Sequence, residues 1–153
     1  MEQDFPVWLA FLFPVFFVAM WVLVSRIISW MGWSAFVARF AFDRQVPPDA
    51  TRYGSQSLTI GDKLFRAASY NNCMNIWVDQ RGLYLRPQLI FRLFHPLIHI
   101  RWDQVAQAEV RTGFLKGGTR LSFKADVPVI TMRGRSGQAV AERWQASGAG
   151  KAA

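Results

Sequence analysis

Residues 5–24 read FPVWLAFLFPVFFVAMWVLV, twenty consecutive positions without a charge. At about 1.5 Å per residue, a helix over this run reaches about 30 Å, the thickness of a bilayer's hydrocarbon core. Its apolar side chains leave no polar stripe to face water. The rest of the 153-residue chain is too short and too polar to bury such a helix on every side. The run therefore predicts a single transmembrane anchor over residues 1–26. Pro14, which would break a marginal soluble helix, is tolerated inside a span. A secretory signal would have a basic start, a shorter apolar stretch and a small-residue cleavage site. Here Glu2 and Asp4 precede the run, Arg26 is the first basic residue, and no clear Ala-x-Ala follows.

Working outward, Trp8 lies near one end of the run, and Trp30 and Trp33 lie near the other, as aromatic belts at the two headgroup layers do. Arg26, Arg39 and Arg44 follow the span, whereas no Lys or Arg precedes it. The positive-inside rule then puts the N-terminus outside and the remainder in the cytoplasm. These six residues form the expected membrane interface. Within residues 27–44, Trp30, Trp33, Phe36 or Val37, and Phe40 recur every three to four positions, the mark of one helix face. The pattern predicts a juxtamembrane amphipathic helix, with Gly32 at a bend and Ser34 capping a new start at Ala35. Two arrangements satisfy it. One is a bent extension lying in the headgroup layer, and the other is a continuous helix whose last turns pack on the soluble domain.

Residues 45–54, with Pro47-Pro48, read as a linker. Beyond it, apolar and polar residues alternate with period two over 74–78, 83–86, 89–94, 98–102, 105–111, 119–124 and 129–133. Residues 138–145 then suit a helix whose Val140 and Trp144, four apart, share a face. The expectation is one mainly-β domain over residues 55–147, an antiparallel barrel or sandwich of about seven strands closed by a C-terminal helix, with a disordered tail over 148–153.

These residues resemble a known family. The stretch Gly82-Leu83-Tyr84-Leu85, the run 89–94, His95-Pro96, and then 98–102 before Asp103-Gln104-Val105 are similar to bacterial membrane-attached pleckstrin-homology-like (PH-like) domain proteins. Arg101 stands where their Ile-Pro-Trp strand end has Pro. The resemblance spans residues 53–144. It implies a binding or scaffolding fold and a bacterial inner-membrane location, and it names no ligand.

Charge narrows the chemistry. The net charge is +8, all of it beyond residue 42, and fourteen of the eighteen basic residues are Arg. Arginine suits planar contacts to phosphate or carboxylate. Strand alternation puts Arg86, Arg92, Arg101, Arg111 and Arg120 on outward faces. The loop 112–119 (TGFLKGGT) adds Phe114, Leu115 and Lys116 as an apolar tip in a basic collar. Together these are the expected contacts to a partner or to anionic lipid. His95 and His99 are the only histidines and Cys73 the only cysteine, so neither a metal site nor a disulfide is expected. The glycines at 113–118 lack the ending of a phosphate loop. No nucleophile stands near a base, so the chain is not expected to be an enzyme, and neither a cofactor nor a small-molecule substrate is expected.

The reading is a non-catalytic, membrane-tethered cytoplasmic binding or scaffolding module, with membrane lipids and membrane-protein partners. The alternative is an accessory structural subunit of a larger, energy-transducing membrane complex. A nucleic-acid-binding β domain is less favoured, because no strip of interleaved aromatic and basic residues stands out.

Overall fold

The structure, a computed structural model, describes residues 6–62, 67–113 and 117–149. The apolar run forms α1, Val7–Ile28, which continues without a break through a π-helical turn, Ser29–Trp33, into α2, Ser34–Phe40. In the π turn the Ser34 amide donates to the Ser29 carbonyl five residues back, so the helix widens but does not end. Ser34 is thus not a cap; its hydroxyl donates to the Trp30 carbonyl at 3.3 Å. Of the two arrangements left open, the continuous helix is the one observed.

The β domain is a seven-stranded antiparallel sheet curled into a half-barrel, in the order β4-β3-β2-β1-β7-β6-β5. Its strands are β1 Thr51–Ile60, β2 Ala68–Val78, β3 Gly82–Pro87, β4 Ile98–Arg101, β5 Val105–Arg111, β6 Gly118–Phe123 and β7 Ile130–Met132. Helix α3, Arg135–Ala146, follows. The sheet remains open, because its edge strands β4 and β5 do not pair with one another. Its concave side is filled from two directions. Val140 and Trp144 of α3 enter the core, and the Trp144 indole donates to the Val105 carbonyl at 3.3 Å. Trp33, Phe36 and Phe40 enter from the N-terminal helix, with Phe36 edge-on to Phe123 at 5.4 Å.

Two expectations about strands are corrected. Residues 89–94 do not form a strand: Leu89–Phe91 is a single 3-10 turn, and the rest of the β3–β4 connection is irregular. A strand here would have carried these apolar residues into a sheet, and instead they project to the exterior. The seventh strand is β1, whose first four residues fall in the expected linker. β1 makes the longest pairing in the sheet, running with β2 from Thr51 opposite Val78 to Ile60 opposite Ala68, with two register shifts.

Candidate functional site

Trp33, expected at the membrane interface, has 0% of its surface exposed. Its ring packs against Tyr70 at 5.8 Å and His95 at 5.4 Å, and its indole donates to the Pro96 carbonyl at 3.2 Å. It is a core residue because the helix never bends away from the domain. Trp30, one helical turn earlier, is 74% exposed, and Trp8, Arg26, Arg39 and Arg44 are also exposed.

The helix meets the half-barrel at the β3–β4 loop. The Ser29 hydroxyl donates to the Phe94 carbonyl at 2.8 Å, and the Arg26 guanidinium sits 5.5 Å from the centre of the Phe94 ring. Phe94 adopts φ +63°, a left-handed conformation that costs a side-chain-bearing residue about 1–2 kcal/mol. The Ser29 bond helps to hold it there. In this loop Leu89, Ile90 and Phe91 are 75%, 67% and 41% exposed. Leu93 and Phe94 are also exposed, as are Ile27, Trp30 and Met31 on the helix. These eight apolar residues lie on two adjoining segments at the level where the exposed helix becomes a buried one.

The arginines divide into two groups. Arg101 pairs with Asp103 at 2.8 Å, Arg111 with Glu109 at 3.0 Å, and Arg120 with Asp62 at 3.1 Å. Arg111 and Arg120 do share one outward face, bordering a shallow groove with Gln107, Glu109 and Ser122, but carboxylates offset their charge. Arg26, Arg86 and Arg92 have no carboxylate within 4.0 Å among the described residues. Arg86 is half-buried with its Nε unpartnered, and burial, then the positive charge of Arg92, pull its guanidinium below the ordinary value. Arg92 Nε donates to the Pro87 carbonyl at 3.4 Å. Phe114, Leu115 and Lys116 lie outside the described residues. Their flanks lie on the paired strands β5 and β6, with the Gly117 amide donating to the Gly113 carbonyl at 2.8 Å.

The two histidines are parted by the strand. His95 is buried, with Nδ1 2.7 Å from the Leu93 carbonyl and Nε2 3.0 Å from the Tyr70 hydroxyl. A carbonyl only accepts, so Nδ1 carries the proton and Nε2 accepts from the tyrosine. Burial lowers the pKa of His95 and raises that of Tyr70. His99 stacks on Tyr84 on the outer face, ring centres 4.1 Å apart, with Phe42 edge-on to it at 5.1 Å. No group of three His, Cys, Asp or Glu residues able to hold a metal occurs among the described residues. Burial raises the Cys73 thiol pKa, so the neutral, weakly nucleophilic form prevails.

Sequence reading places a turn over residues 79–81 ahead of Gly82, as observed, but misses the part played in it by the Asp79 side chain. The buried Asp79 carboxylate accepts from the amides of Arg81 and Gly82 at 2.8 and 2.9 Å, from Arg81 Nε at 2.9 Å and from the Tyr84 hydroxyl at 3.2 Å. Its carbonyl accepts from the Trp102 indole at 3.1 Å. An Asp three residues before Gly was the available signal for such a turn. Beside it, Gln80, Arg81, His99, Arg101, Trp102 and Asp103 line an open cleft of about 650 Å³. Compared with known proteins, the chain matches no family model and no curated protein sequence.

Proposed function

We propose that this chain is a non-catalytic binding or scaffolding module of PH-like type, held on the cytoplasmic face of a membrane by residues 7–24. One observation carries the reading. The helix is long and apolar enough to cross a bilayer, exposes Phe11, Phe13, Val15, Phe16 and Leu23 to the exterior, and then runs unbroken into the core of the half-barrel. A helix with so much apolar surface is at home in lipid, and its far end is an integral part of the domain.

Strand order supports the PH-like assignment: a four-strand meander and a three-strand meander meet where β1 pairs with β7, and a helix carrying an inward Trp144 follows. Arg26, Arg39 and Arg44 after the span support the cytoplasmic placement.

The test is fractionation of tagged full-length protein from bacterial membranes, then purification in mild detergent. The expected result is retention in the membrane pellet through an alkaline carbonate wash, then a small particle containing this chain alone. Release by carbonate would overturn the tether. A discrete large complex of fixed stoichiometry would replace the free-standing module with an accessory subunit.

A further inference from the structure

We infer that residues 89–94 of the β3–β4 loop enter the same bilayer as residues 7–24, placing Leu89, Ile90 and Phe91 beneath the headgroups and Arg86 and Arg92 against lipid phosphates. The inference rests on the reading that residues 7–24 span that bilayer.

Position is the first argument. The loop is joined to the helix at Ser29 through the Phe94 carbonyl and at Arg26 through the Phe94 ring. A hydrocarbon core about 30 Å thick accommodates about 20 helical residues, so a span beginning near Val7 leaves the core close to Arg26. The loop therefore sits at the depth of the interface and does not have to reach for it.

Composition is the second. Five of the six residues 89–94 are large and apolar, all five are exposed, and the sixth is Arg92. A water-facing loop of this kind is costly, whereas an interfacial one buries its apolar side chains and keeps its cation at the phosphates. Charge is the third. Arg86 and Arg92 repel one another and lack a carboxylate among the described residues, while Arg101, Arg111 and Arg120 each have one. Anionic headgroups supply the missing counter-charge. Strain is the fourth. Phe94 is held in a left-handed conformation by its tie to the helix, a cost that fixing the loop beside the span accounts for.

The test uses full-length protein on a Cys73→Ser background, reconstituted in vesicles of equal parts phosphatidylcholine and phosphatidylglycerol. An environment-sensitive fluorophore is attached at Ile90→Cys, at Phe16→Cys in the span, or at Gln107→Cys on β5. Leu89→Cys provides a second loop site if Ile90→Cys does not fold. Lipids carrying a doxyl quencher near the headgroup, for the loop sites, or near the acyl-chain end, for Phe16, are then introduced, with Gln107 tested against both. The expected result is blue-shifted emission and loss of intensity at Ile90 and Phe16, with neither at Gln107. Quenching at Phe16 with a water-like signal at Ile90 would overturn the loop insertion and leave the span standing. A blue shift at Ile90 without lipid quenching would assign the loop to a protein partner or second copy, which also overturns the inference. No quenching at Phe16 would remove the span, and the loop's role with it.

Discussion

At the residue scale, Trp33 and Trp30 lie one helical turn apart and play opposite parts. Trp33→Ala removes a fully buried ring and its bond to Pro96, and is expected to destabilise the domain by about 3–5 kcal/mol. Trp30→Ala should leave denaturant unfolding of the detergent-solubilised protein near its starting value. Asp79→Ala strands two backbone amides and the Tyr84 hydroxyl, and the same measurement should show a loss of about 2–3 kcal/mol. His95 sets a pH dependence. Its pKa is depressed by burial, so the unfolded chain takes up the proton first as pH falls. The stability it contributes is complete above its unfolded value of about 6.5 and is lost as pH drops through the lower folded value. Unfolding free energies at about pH 7.5 and pH 5 should therefore differ, and His95→Phe should shrink the difference. His99, depressed in the same direction, preserves part of the slope.

At the scale of elements, the π turn lets Gly32 pass close to the sheet. A side chain there would place its Cβ 2.8 Å from Ile60 Cγ2, so Gly32→Leu overpacks the contact and should cost about 1–3 kcal/mol by the same unfolding measurement. Elements with clean periodicity were legible in the sequence. β5 matches its expected residues 105–111, and α3 and the apolar helix fall within a few residues of expectation. β1 was not legible, because Gly54 and Ser55 fall within it and two register shifts break the alternation that marks a strand. The 89–94 loop was misread for the converse reason. A short, nearly continuous apolar run fits a strand by pattern alone, and nothing in it marks the 3-10 turn that Leu89–Phe91 forms. Of the contact residues, the outward arginines could be listed from alternation, but which of them pair with carboxylates depends on neighbours brought in from other strands and loops. Asp62, the partner of Arg120, is 58 positions away.

At the scale of the whole molecule, Arg26 and Arg92 flank the Phe94 junction with no carboxylate partner among the described residues, whereas Arg111 and Arg120 on β5 and β6 are each paired, and lipid preference should follow that division. Arg26→Gln with Arg92→Gln should remove preferential retention of phosphatidylglycerol over phosphatidylcholine, read by native mass spectrometry of protein released from mixed nanodiscs. Arg111→Gln with Arg120→Gln, whose charges are already offset, should keep it. The unbroken run from Val7 to Phe40 has a mechanical consequence as well. The helix is an axle keyed into the half-barrel by three aromatic side chains, with no swivel between shaft and load. Torque on the N-terminal turns becomes rotation of the sheet, and a tilt of the helix swings every strand through the same angle. The domain's azimuth is set by whatever grips the shaft.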